Sequence, residues 1–119
     1  DLAVLLETGP EVIAGSTRLG AATVQKAALN MVSVLIGVKL GAVHDGLMVN
    51  LIADNIKLVD RAARIVMQIA GTTEESARAA LHLTGGAVKP AVLVARGMSV
   101  DDADRALVAS NGVLAPHLD

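Results

Sequence analysis

Between residues 19 and 40 the chain is almost entirely apolar outside one narrow row, Thr23, Lys26, Asn30 and Ser33, which Gly37 continues. Spacings of three and four put that row on a single helix face. The pattern predicts a helix capped by Ser16 or Thr17 and running to about Lys39. Such a helix needs burial around most of its circumference. Upstream, residues 3–7 read as a short strand and residues 8–15 as loop. Downstream, residues 41–54 read as a linker whose apolar stretch, 47–52, is either extended or one helical turn. Asp54 then caps a helix over residues 55–70, which Gly71 stops. Its apolar positions Ile56, Val59, Ala62, Ala63, Val66 and Met67 follow a 3.6-residue period.

The last third predicts three short helices. Thr72 with Glu75 and Ser99 with Asp102 are capping-box spacings. They open helices ending near Leu83 and Ser110. Between them lies a helix over residues 88–96, bounded by Gly85 and Gly86 before it and Gly97 after it. Pro90 falls in its first turn, where the missing N–H costs little. Pro116 argues against helix in the tail. The fold class is therefore mainly α: a long apolar helix, a helical bundle, and a C-terminal part whose three-helix pattern resembles ubiquitin-associated bundles. That likeness of pattern implies no function. The short strand at residues 3–7 reads as the remnant of a truncated α/β domain of sugar-isomerase type. This divides the chain into residues 1–15, a two-helix segment over 16–71, and a small bundle with its tail over 72–119. The chain is expected to be the C-terminal piece of a longer protein.

Composition narrows the function classes. The 119 residues carry a net charge of −2 with both signs interspersed, so no basic face is offered to nucleic acid. There is no Phe, Tyr or Trp, which removes base stacking. Hydrophobic residues make up 53% of the chain, all aliphatic or Met. The absence of Cys fits a cytoplasmic protein. The apolar run over residues 27–40 falls short of the ~20 residues of a membrane span. Asn30 and Ser33 interrupt it and Lys26 and Lys39 bound it, so no membrane partner is expected.

Candidate chemistry concentrates before the long helix. Ser16, Thr17 and Arg18 bring two hydroxyls and a guanidinium to a helix N-terminus, where backbone N–H groups attract anions. The same residues also suit an ordinary cap followed by a solvated Arg. Glu11 is either an acid–base group near substrate or an ion-pair partner that folds the loop back onto Arg18. Lys26 lies two turns beyond Arg18. It either lines the same cleft or lays its stem on apolar surface. Lys57, Arg61 and Arg64 share one helix face, suited to a phosphate or to offsetting Asp54 and Asp60. His44 and Asp45 read as a polar turn. His82 and His117 stand apart without metal-ligand spacing, and no metal or cofactor is expected.

The run Gly9, Pro10, Glu11, then Gly15, Ser16, Thr17, Arg18, then Lys26 resembles the signature of the N-acetylmuramic acid 6-phosphate etherases and the related glucokinase regulatory proteins. Asn55, Lys57, Leu58, Arg61 and Arg64 resemble a second family segment. Leu19 stands for the family's Met, and Gly20, Gly46 and Asn50 for its Lys, Asn and Asp. The resemblance implies a parent that binds a phosphosugar through an upstream sugar-isomerase domain. Family etherases cleave the lactyl ether by acid–base elimination and hydration, using glutamates and no cofactor. Those glutamates fall outside this chain, so the fragment alone is expected to be inactive. On this reading Ser16, Thr17, Arg18, Glu11 and Lys26 are substrate-binding. The three departures weigh toward the alternatives, a non-catalytic sugar-phosphate regulator or a structural lid and dimerisation module. The burial demand of the long helix adds the expectation of a homodimer.

Overall fold

The computed structural model describes residues 2–118. Among these, five α-helices, a two-stranded antiparallel sheet and a final 3-10 turn follow one another along the chain. The mainly α class is as read from the sequence. Residues 3–7 carry no strand; an isolated strand has no ladder to stabilise it, and the small sheet lies in the linker instead. The chain divides into two compact units, residues 2–36 and residues 37–118.

The first unit holds the N-terminal loop and most of helix α1, Gly20–Lys39. The helix starts later than the Ser16 or Thr17 cap predicts, because a different acceptor takes its first amides, as described below. None of its 20 residues is buried. Leu29, Met31, Val34 and Leu35 are each more than 60% exposed. By length and composition alone α1 also meets the criterion for a membrane span, with a mean hydropathy of 1.4. Lys26, a third of the way along, opposes that reading, since a Lys within a span costs up to about 3 kcal/mol at the bilayer centre.

The second unit begins with the close of α1. Ala42 donates to Gly37 O at 2.8 Å and Gly41 to Val38 O at 3.0 Å, a Schellman closure. Gly41 is required there on two counts. Its φ is +67°, and a Cβ would lie 2.7 Å from Gly112 O. A two-residue hairpin follows, with β1 at Val43–His44 and β2 at Leu47–Met48, paired Val43 to Met48 and His44 to Leu47. Asp45 and Gly46 both take positive φ, as the preferred hairpin turn demands. The linker is thus extended here.

Helix α2, Ile56–Ala70, is capped by Asn55 rather than Asp54. The Asn55 side chain accepts from Leu58 N–H at 3.1 Å, while Asp54 accepts from the Asn55 amide. Helix α3, Glu74–Leu83, is capped by Thr73, one residue later than the Thr72 spacing predicts. Helix α4, Val88–Ala95, has Pro90 in its first turn, as read from the sequence. Helix α5, Val100–Ala109, shows the expected Ser99 cap, whose hydroxyl accepts from Asp102 N–H and donates to the Asp102 carboxylate. These four helices bury a core of Ala, Val, Leu and Ile. Ala62, Ala63, Ile65 and Val66 of α2 meet Ala77, Ala80 and Leu81 of α3 and Val88, Ala91 and Val92 of α4, with Val49 and Leu114 closing the cluster. Ile56, placed on the apolar face by its period, is 83% exposed in the first turn of α2. Arg78 ties α2 to α3 through Asp60 at 2.7 Å and also binds Glu74 at 2.8 Å.

Leu93 is fully buried, and its truncation to Ala is expected to cost about 2–5 kcal/mol. Gly86→Ala is also expected to destabilise, because φ is +83° and the new Cβ would meet Ala53 O at 2.8 Å. Urea unfolding monitored by far-ultraviolet circular dichroism measures both losses; unchanged midpoints would contradict this packing.

Candidate functional site

The loop before α1 folds back so that Glu11 meets the helix start. Its carboxylate accepts from Gly20 N–H at 2.9 Å and from Ala21 N–H at 3.0 Å. Two oxygens on one charged group satisfy two of the four amides that any helix leaves unpaired. A third is also taken, since Ala22 N–H reaches Thr17 O at 3.1 Å, and Thr23 N–H to Leu19 O at 3.2 Å is the first regular bond of the helix. A carboxylate is a stronger acceptor than a hydroxyl and carries charge of the sign the helix dipole favours. That is why the helix begins at Gly20, beyond the hydroxyls of Ser16 and Thr17.

This changes the electrostatics expected from the sequence. The amides foreseen as free for an external anion bind Glu11 instead. The backbone bonds from Ala21 and then Gly20 hold the Glu11 carboxyl below the usual glutamate range. The ion pair with Arg18 is not formed among the described residues. Ser16 turns inward on its own loop, where its N–H donates to Ile13 O at 3.0 Å and its hydroxyl oxygen accepts from Arg18 N–H at 3.4 Å.

Thr17 and Arg18 come together. They line one open depression of about 500 Å³, shared with Ala21, Ala22 and Gln25 of α1 and with Val4 and Leu6 of the N-terminal segment. It has an apolar wall, a hydroxyl, an amide and a guanidinium, a set that suits a sugar carrying an anionic group. Glu11, Ser16 and Lys26 do not line it; Lys26 is exposed farther along α1. Gln25, Val4 and Leu6 carry no motif in the sequence and enter only through the fold.

The second basic cluster is arranged differently. Lys57 and Arg61 are exposed, and Arg64 donates its Nε to Asp60 O at 3.3 Å. Arg64 and Arg78 line a separate depression of about 410 Å³, but Asp60 and Glu74 line it too and both bind Arg78. That pairing leaves the surface poorly suited to a phosphate. Among the described residues, no three His, Asp or Glu side chains gather as a metal site.

With this geometry in view, the comparisons with known proteins are specific. Over 119 residues the chain is 47% identical to the N-acetylmuramic acid 6-phosphate etherase of Cronobacter sakazakii, covering 99% of this chain and 40% of that protein. The enzyme of the same name from Deinococcus radiodurans is 45% identical over 113 residues, 94% of this chain and 37% of its own length. The one from a Synechococcus species is 44% identical over 119 residues, 99% of this chain and 38% of its own. The chain thus spans about two fifths of the length of these curated relatives. No family model matches it.

Because the Glu11 carboxyl is held below its ordinary value, its cap is complete above the unfolded glutamate pKa of about 4.3 and fades as pH falls through the lower folded value. Carbon-detected NMR titration of the Glu11 carboxyl is expected to show that depressed midpoint, with the Gly20 and Ala21 amide shifts following it. A midpoint at or above the ordinary value would contradict the two hydrogen bonds.

Proposed function

Because the chain belongs to the family of the N-acetylmuramic acid 6-phosphate etherases, we propose that it is the C-terminal helical region of a phosphosugar-binding protein. The parent cleaves the lactyl ether of N-acetylmuramic acid 6-phosphate, giving N-acetylglucosamine 6-phosphate and D-lactate in cytoplasmic recycling of cell-wall sugar. The observation that carries the reading is that Thr17 and Arg18, two adjacent residues of the family-like signature, open onto one depression beside α1. Arg18 offers a planar donor fork matched to phosphate geometry, and Thr17 adds a hydroxyl. Val4 and Leu6 give the sugar an apolar wall. No glutamate lines this depression, so the acid–base groups belong to the rest of the parent and the fragment is inactive alone. Ser16 and Lys26 belong to the approach to the site, while Glu11 supports it from behind.

The bare apolar surface of α1 makes a homodimer part of this proposal. A second copy would remove from water the side chains of Met31, Val34 and Leu35, which surround an apolar dimple of about 390 Å³ with Asn30.

Incubating the parent protein with N-acetylmuramic acid 6-phosphate is expected to release D-lactate, read by a lactate-dehydrogenase-coupled assay. Arg18→Ala should raise KM about tenfold or more, the worth of one charge-assisted contact. Tight binding without D-lactate release would favour the regulatory alternative, to which Gly20, Gly46 and Asn50 point. Neither binding nor release would leave only the lid and dimerisation role. Sedimentation velocity of the parent is expected to give a dimer that Val34→Asp dissociates; a folded monomer of the unmodified parent would refute the dimer.

A further inference from the structure

We propose that Glu11 is a positioning residue, an internal anion that occupies the start of α1 and thereby holds Thr17 and Arg18 toward the substrate phosphate. The proposal rests on the reading of Thr17 and Arg18 as the phosphate side of the site.

Three observations carry it. First, the two bonds from Gly20 and Ala21 to Glu11 close a loop whose two ends would otherwise have no tie to one another. Thr17 and Arg18 lie inside that closure, within three residues of its C-terminal anchor. Second, among the described residues packing does not hold the loop. Val12 is 94% exposed and Ile13 64%, and α1 buries no residue that could brace it. A loop without a core of its own keeps its shape through polar ties, and besides Glu11 the described ones are the turn from Ser16 N–H to Ile13 O, the long bond from Arg18 N–H to Ser16 Oγ, and the bond from Ala22 N–H to Thr17 O, which holds the Thr17 backbone but leaves the Arg18 side chain untied. Third, the amides of residues 20–23 are engaged. A phosphate entering the depression therefore meets side chains, not the open end of a helix, and recognition falls on the donors that the loop presents. Binding then depends on where the loop puts Arg18, because a bidentate contact is lost with small displacements.

Glu11 is not placed to touch substrate, since it does not line the depression. Its influence must pass through Arg18 and Thr17, and a double-mutant cycle separates that from an independent contribution. In the full-length protein, Glu11→Ala is expected to raise KM for N-acetylmuramic acid 6-phosphate about tenfold while kcat changes less than about threefold. Arg18→Ala should do the same, and the double variant should be no worse than the more damaged single one. Glu11→Gln keeps one acceptor oxygen and should fall between Glu11→Ala and the unmodified protein; it carries the test if Glu11→Ala fails to fold by circular dichroism. If the parent shows no turnover, the same variants are compared by calorimetric Kd for the same compound. A loss with Arg18→Ala but none with Glu11→Ala would overturn the positioning role and leave the site reading intact. Additive losses would also overturn it, by showing that Glu11 acts independently. No loss with any variant would overturn both.

Discussion

A chain without a single aromatic side chain can fill a core only by bringing its backbones close. Phe and Trp bridge wide gaps between elements; Ala, Val and Leu do not. In the second unit this constraint shows in which residues are buried. Six of them are Ala, namely Ala62, Ala63, Ala77, Ala80, Ala91 and Ala103, and the first five belong to the cluster shared by α2, α3 and α4. The same closeness governs the connections. Gly86 stands where a Cβ would strike the Ala53 backbone, and Gly41 where it would strike that of Gly112. These approaches allow Ala53 N–H to reach Gly86 O at 2.9 Å and Val88 N–H to reach Leu51 O at 3.0 Å, pinning the linker to the start of α4. Close packing of small side chains gains many weak contacts at once, so one added methyl at these glycines disturbs more than its own volume.

Helix α1 obeys the opposite regime. It is as aliphatic as the core, yet none of its residues is buried. Burial of apolar area is the dominant favourable term in folding, and α1 takes little part in it. The two units therefore differ in what holds them. One has a core and many crossing contacts. The other is held by the hydrogen bonds at the start of α1.

Legibility from the sequence followed the range of the interaction that fixes each feature. The four bundle helices could be read because their signals are local: Ser99 with Asp102, Pro90 in a first turn, and apolar periods in α2. The caps at Asn55 and Thr73 were missed by one residue because adjacent polar side chains, Asp54 and Thr72, compete for the same task and only the folded φ and ψ decide. The hairpin had a local signal, Asp45 and Gly46 between apolar residues, that was read only as a polar turn. The start of α1 was not legible in the same way. Ser16 and Thr17 are good caps by type, yet an acceptor nine residues before Gly20 displaced them. Of the candidate site, Thr17 and Arg18 could be found from residue type and spacing. Val4, Leu6 and Gln25 could not, since no property of theirs distinguishes them until the N-terminal segment is laid beside α1.

The carboxylate at the start of α1 bears on how such a signature is to be understood. Hydroxyls and an Arg ahead of an apolar helix suggest a cradle in which backbone amides grip an anion. In this chain the amides already grip one, and it is covalently part of the protein. Glu11 adds a negative charge close to the place where a phosphate would bind, which by itself repels the ligand. That cost is offset where the same charge is neutralised by the helix end, and the bonds from Gly20 and Ala21 N–H to the carboxylate place it there. The arrangement exchanges a general anion site, open to any phosphate or sulfate, for side-chain donors whose placement is fixed by the loop. If Thr17 and Arg18 take the phosphate, as proposed, specificity resides in the geometry that Glu11 sets and not in the field of the helix.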